Sequence, residues 1–174
     1  MAKIITVGAG VQDVFLSQSD ALKPVCESPE HCFARLDLGA KADVNQIHFA
    51  TGGGATNAAV TFARQGHQAL FMGIIGKDPA GQAVLDDLDK EGVGTQLVKY
   101  SLKYSTGYSV LLLAPNGERT ILTYRGASTH YHPADFDISE QKADWLYVST
   151  LSGNMDVLNK LFRQARDQGI KICF

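Results

Sequence analysis

The sequence predicts an α/β fold: a mostly parallel sheet flanked by helices, with a smaller sheet beside it. Short apolar runs, Lys3 to Val7, Gln68 to Ile75, Asp144 to Thr150 and Ile170 to Phe174, alternate with stretches whose apolar residues recur at helical spacing. That alternation is the pattern of parallel strands joined by helical crossovers. Other extended pieces, Phe33 to Gly39, Gln46 to Phe49, Thr106 to Leu113 and Arg119 to Tyr124, fall before or between those units. Strands inserted there do not easily join a parallel sheet and suit a separate one.

Composition narrows the function classes. The chain has 174 residues, 45% hydrophobic and 20% charged, enough to bury a core in the ordinary globular class. One compact domain with an appendage is the expectation. The formal charge of −2, with signs interspersed, offers no basic face for nucleic acid or an anionic membrane. Met1 leads straight into Ala2 to Gly8, too short for a signal peptide, and no apolar run approaches membrane-spanning length, so the sequence reads as cytoplasmic. Cys26, Cys32 and Cys173 are odd in number and lack a CxxC pair, which reads as reduced thiols, not a disulfide framework or zinc site.

Lys3 to Val7 is β-branched and apolar, as a buried parallel strand is, and ends at Gly8. Gly8 and Gly10 begin a G-x-G-x-x-G pattern and open a dinucleotide-binding reading. However, Asp13 replaces the third glycine, and Val14 to Ser17 looks extended where a phosphate-binding helix should start. Asp13 alone reads equally as a turn cap. Pro24 and Pro29 break the next stretch, and Pro24 to His31 is expected to be a surface loop. His31 beside Cys32 and the pair His130 and His132 lack further residues at metal-ligand spacing.

The most informative stretch is Thr51-Gly52-Gly53-Gly54-Ala55-Thr56-Asn57-Ala58-Ala59. Successive glycines leave the backbone bare, so amides can approach a ligand with no Cβ in the way. A helix follows at once, because Ala55, Ala58, Ala59, Phe62 and Ala63 share one face. Its first N–H groups lack intrahelical partners, and Asn57 adds an amide that both donates and accepts. Such a cradle suits phosphate, carboxylate or sugar hydroxyls, but it is not a Walker loop, since no Gly-Lys-Ser/Thr follows.

Further on, Asp78 and Pro79 open a helix with Val84, Leu85 and Leu88 as its stripe and Gly92 as its stop, before a strand from Gln96 to Tyr100. Asn116-Gly117 between Leu113 and Arg119 marks a hairpin. Tyr108 in its first strand faces either a ligand or solvent. Arg125, at its end, either grips a hydroxyl-rich or anionic substrate or pairs with a nearby acid. Asn154 caps a last helix with the face Met155, Leu158, Leu161, Phe162 and Ala165, and Gly169 ends it.

Gly52, Gly53, Ala55, Asn57 and Ala59, with Gly66 and Gly76 at matching intervals, resemble the N-terminal signature of the ribokinase-like (PfkB) carbohydrate kinases. Gly76-x-Asp78-x-x-Gly81, Glu91-Gly92-Val93, Thr106-Gly107 and Gly126-Ala127 extend the resemblance over nearly the whole chain. It implies a ribokinase-like fold in which segments of about 14–50 and 104–125 form a β lid over the substrate. It further implies that Asp13, the amides of Gly53 and Gly54, and Asn57 hold a sugar or nucleoside in one pocket, with Tyr108 and Arg125 as further candidates. The family's activity is transfer of the γ-phosphoryl of ATP to a sugar hydroxyl, with Mg²⁺, and lid-to-lid homodimers occur.

In this family the catalytic Asp lies in a Gly-Ala-Gly-Asp type loop of the C-terminal half, and no such loop occurs in these 174 residues. The expectation is therefore the N-terminal, sugar-binding part of a kinase, with no catalytic, nucleotide or metal site of its own and no activity alone. A non-catalytic sugar-binding or interaction module and a dinucleotide-binding domain are the alternatives.

Overall fold

The computed structural model describes residues 1–28 and 30–174; Pro29, one of the sequence's expected breaks, lies outside them. In chain order the elements are β1 (Lys3–Val7), β2 (Val11–Ser17), β3 (Val25–Ser28), β4 (His31–Phe33), β5 (Gln46–Gly52), α1 (Gly54–Arg64), β6 (Gln68–Met72) and β7 (Ile74–Gly76). Then come α2 (Pro79–Lys90), β8 (Lys99–Ser101), β9 (Gly107–Leu113), β10 (Arg119–Tyr124), β11 (Trp145–Val148), α3 (Met155–Asp167) and β12 (Lys171–Cys173). The chain divides into two compact units, a main one of Met1–Gln12, Thr51–Tyr108 and Arg125–Phe174, and a second of Asp13–Ala50 and Ser109–Tyr124.

The main unit is built on a parallel sheet of order β12-β11-β1-β6. Ile5 of β1 stands beside Leu146 on one side and Leu70 on the other. Alternation along β6 divides the core in two. Leu70 and Met72 join Ile5, Val7, Val157, Leu158 and Leu161 on the α3 face, whereas Ala69 and Phe71 join Ala55, Ala59, Val84 and Leu88 on the α1 and α2 face. Helices thus cover both faces of a parallel sheet, as continuous apolar strands require. Each fully buried Leu or Val of this kind contributes roughly 1.5–3 kcal/mol relative to exposure.

Helix ends follow local chemistry. Asp78 caps α2 by accepting from the Gly81 amide, with Pro79 in the first turn, and Asn154 caps α3 by accepting from the Val157 amide at 3.1 Å. Gly92 and Gly169 follow the last turns at φ +70° and +68°. The face of α3 shifts from the expected one: Met155 is 61% exposed, and fully buried Val157 takes the inner position. The apolar run Gln68 to Ile75 is not one strand. It divides at Gly73, where a Cβ would lie 2.4 Å from Phe71 Cζ and 2.5 Å from the Gly8 carbonyl oxygen. The expected strand from Gln96 to Tyr100 is confined to β8, which pairs with β7.

The second unit carries most of a four-stranded sheet of order β10-β9-β2-β5 and the antiparallel pair β3-β4. Gly117, at φ +90°, lets the β9-β10 connection turn, and Gly117 N–H donates to the Ala114 carbonyl. Three expectations fail here. Pro24 to His31 is not simply a loop, because β3 and β4 pair across it. That hairpin sets Cys26 opposite Cys32, and the two form a disulfide rather than standing as free thiols; Cys173 remains free and exposed. Phe33 to Gly39 is not a strand beyond Phe33: the Ala40 amide turns back to the Asp37 carbonyl, Gly39 sits at φ +82°, and Leu38 lies in solvent.

Candidate functional site

Gly53 brings the backbone into α1 at φ +110°, where L side chains are strained, and a Cβ there would lie 2.2 Å from the Ala9 carbonyl oxygen. The helix is held down by Ala55 and Ala59, both fully buried, and by buried Thr56, whose hydroxyl donates to the Gly52 carbonyl at 2.6 Å. Among the described residues no side chain caps the N-terminus of α1, whose N-cap is Gly53. Gly54 and Asn57 are exposed in this first turn, and the Asn57 backbone N–H donates to the Gly53 carbonyl at 3.0 Å. The result is a helix terminus with a positive dipole end, bare backbone and one flexible amide side chain.

Its position follows from topology. From β1 the chain reaches β6 on one side, whereas β11 lies on β1's other side and leads outward to β12. Adjacent strands whose connections leave in opposite directions open a crevice beyond their carboxyl ends, where α/β sheets bind ligands. At that crevice stand Gly8, just past β1, and Ser149, just past β11, with the Ser149 amide donating to the Val7 carbonyl at 2.9 Å. A Cβ on Gly8 would lie 2.0 Å from Ser149 Oγ, and one on Gly54 would lie 3.3 Å from Ser149 Cβ. Gly8, Gly54 and Ser149 therefore meet at one point of the main unit.

Asp13 lies in the second unit, in mid-β2 and half-buried. Burial raises its pKa above the ordinary carboxylate value, and a hydrogen bond with Ser109 on neighbouring β9 partly opposes that rise. Tyr108, half-buried, and Arg125, exposed, flank the root of the β9-β10 hairpin in the main unit, where a Cβ on Gly107 would lie 3.1 Å from the Arg125 carbonyl oxygen. Gly53, Gly54 and Asn57 thus share one helix terminus, and Tyr108 and Arg125 share one hairpin root. His132 accepts the Ala134 amide as a local cap, and His130 stacks on Tyr104 with ring centroids 3.5 Å apart.

Sequence reasoning missed two features of this region. Ser149 falls within the expected strand Asp144 to Thr150, where no site is signalled; β11 ends at Val148, and its pairing with β1 brings Ser149 to Gly8. Asp78 was recognised as a cap, but its second partner, Thr106, lies 28 residues away in sequence.

A glycine-built, uncapped helix terminus at the switch point of a parallel sheet is the place where α/β proteins bind small ligands. Residues 28–174 match the model of the pfkB family of carbohydrate kinases, and the chain belongs to that family. It is 32% identical over 102 residues to the fructokinase of Vibrio alginolyticus, covering 58% of this chain and 33% of that protein. It is 34% identical over 83 residues to the ribokinase of Bacillus subtilis (strain 168), covering 48% of this chain and 28% of that protein. Among solved structures, the fructokinase of Xylella fastidiosa superposes with a TM-score of 0.73 at 21% identity, covering 99% of this chain and 51% of that one. The fold is ribokinase-like, and the chain spans about half the length of such structures.

Proposed function

We propose that these residues are the sugar-holding N-terminal part of an ATP-dependent kinase that transfers the γ-phosphoryl of ATP to a hydroxyl of a sugar or nucleoside. The observation that carries this reading is the uncapped, glycine-built α1 terminus at the β1-β11 crevice, formed by residues of the family signature. A sugar hydroxyl both donates and accepts. The amides of Gly53 and Gly54 supply donors, Asn57 supplies both, and the Asp13 carboxylate accepts. Tyr108 and Arg125 add contacts from the hairpin root. The relatives named as fructokinase and ribokinase support a small carbohydrate as substrate.

Phosphoryl transfer is mostly positioning and charge stabilisation around nucleotide and Mg²⁺, with a group that accepts the hydroxyl proton. No group of three or more His, Cys, Asp or Glu side chains among the described residues is placed to hold a cation. By the family resemblance, ATP, Mg²⁺ and the catalytic Asp are assigned to the C-terminal half of the complete enzyme, whose Gly-Ala-Gly-Asp type loop does not occur in these residues, and the 174 residues alone are expected to transfer no phosphoryl. A dinucleotide-binding role finds no support, because Gly8 to Asp13 runs into strand β2 where that role needs a helix. Among the described residues no helix is long and apolar enough to cross a membrane; a cytoplasmic location fits the proposed use of ATP.

The sheet of β10-β9-β2-β5 is assigned as the lid and as the contact surface for a second copy. Ile47 and Phe49 lie exposed on edge strand β5, and Ile121, Leu122 and Tyr124 on edge strand β10, apolar side chains that a partner surface would cover.

The experiment is ADP release by the protein expressed from its full reading frame, offered ATP, Mg²⁺ and a panel of hexoses, pentoses and nucleosides, beside the 174-residue chain. Turnover of at least one acceptor by the former and none by the latter is expected. Sugar binding without turnover by the full protein would favour a non-catalytic module.

A further inference from the structure

We infer that Ser149 is a further substrate-binding residue whose hydroxyl contacts the ligand beside Gly8 and Gly54, an inference that rests on the kinase reading above. The topology places it first. β1 and β11 are the adjacent parallel strands whose connections diverge, so the ligand crevice opens beyond Val7 and Val148, and Ser149 is the first residue past Val148. Its backbone is fixed, since the Ser149 amide continues the ladder to the Val7 carbonyl at 2.9 Å. Its side chain is fixed too. The hydroxyl occupies the space a Gly8 side chain would fill, with a Cβ there falling 2.0 Å from Ser149 Oγ.

The hydroxyl is also chemically available. Ser149 is half-buried, and no hydrogen bond joins its hydroxyl to the protein among the described residues, whereas nearby Thr56 satisfies its own hydroxyl on the Gly52 and Gly53 carbonyls. Half-buried at a ligand crevice, it gives and takes one hydrogen bond beside the bare backbone amides of α1, which only donate. An acceptor beside bare amides lets the site bind a hydroxyl through both its hydrogen and its oxygen, which a phosphate or carboxylate does not need. Glycine at positions 8 and 54 is then required for the hydroxyl to reach the crevice.

The test is steady-state kinetics of the protein expressed from its full reading frame, wild type and Ser149→Ala, with the sugar it turns over best and each monodeoxy analogue of that sugar. Ser149→Ala is expected to raise the sugar KM about 5- to 20-fold, to lower kcat less than twofold and to leave the ATP KM unchanged. One deoxy analogue should lose the same factor against wild type and nothing further against Ser149→Ala. A general packing defect would penalise every analogue alike and would overturn the inference, as would an unchanged sugar KM. No turnover of any sugar by the wild type would overturn the kinase reading and this inference together.

Discussion

The Asp78 carboxylate holds Thr106 twice, one oxygen accepting from the Thr106 hydroxyl at 2.7 Å and the other from the Thr106 amide at 2.8 Å. The same carboxylate caps α2 through the Gly81 amide, and the Thr106 hydroxyl in turn receives the Gly76 amide at 2.8 Å. Thr106 immediately precedes β9, so a helix terminus and the root of the hairpin share one charged anchor. Asp78→Ala removes a cap and two charge-assisted bonds and should lower stability by about 3 kcal/mol in urea unfolding. A loss typical of a surface change, within about 0.5 kcal/mol, would contradict the anchor.

The anchor also has a pH signature. Burial raises the Asp78 pKa, but the hydrogen bonds from Thr106 and Gly81 outweigh it and leave the value below the ordinary 3.8. Its contribution is therefore complete above that pH and is lost as pH falls through the folded-state value. Asp137 behaves alike, held down to about 2 by the Ser139 hydroxyl and amide and by Gln164. Acid titration of stability should decline from near pH 4 downward, and Asp78→Asn should flatten part of that decline.

Asp13 should show the opposite sign. Burial raises its folded-state pKa, so the carboxyl favours folding below its unfolded value of about 3.9 and that contribution disappears as pH rises through the folded value. Asp13→Asn keeps an acceptor for Ser109 without the charge. It should raise Tm at pH 7, with the gain fading near pH 3. A lower Tm for Asp13→Asn at pH 7 would show that the carboxylate is retained for folding instead of for its ligand.

Gly53→Ala tests the cradle from the backbone side. A methyl there meets the Ala9 carbonyl and demands φ +110° of an L residue. An unstrained Gly-to-Ala change gains roughly 0.4–1 kcal/mol, whereas this variant should lose more than that, and sugar binding should weaken with it. Gly66→Ala is the control, because open space surrounds that position although its φ is +83°. Equal effects at both sites would mean that strain alone, not close approach, makes position 53 special.

The exposed apolar residues Ile47 and Phe49 of β5 and Ile121 and Leu122 of β10 predict self-association through the sheet proposed as the lid. Light scattering of the full protein should give a dimer mass at micromolar concentration, and Leu122→Lys should shift it to monomer. A monomer at high concentration in the unaltered protein would rule this surface out.

Local signals account for what the sequence reveals. The helix caps Asp78 and Asn154, the stops Gly92 and Gly169, the turn at Gly117 and the buried pair Ala55 and Ala59 each depend on residues within a turn of one another, and each lies where the pattern puts it. What escapes depends on contacts distant in sequence or on edges without a partner. Alternation from Phe33 to Gly39 has the period of a strand, but no neighbour strand takes it up beyond Phe33. Cys26 and Cys32 look unpaired until β3 and β4 bring them opposite each other. Among site residues, the α1 terminus was legible because the glycines and Asn57 are contiguous. Ser149 was not, because it reaches Gly8 only through the pairing of β11 with β1.

The central claim is that this part of the protein holds the acceptor sugar and leaves ATP to the rest. Its most direct test is the pair of Michaelis constants for Asp13→Ala and Asn57→Ala in the protein expressed from its full reading frame. The account predicts that kcat/KM for the sugar falls by roughly 1.5–3 kcal/mol in Asp13→Ala, the worth of a hydrogen bond to a charged group, and by less in Asn57→Ala, with the ATP KM unchanged in both. A raised ATP KM beside an unchanged sugar KM would contradict it.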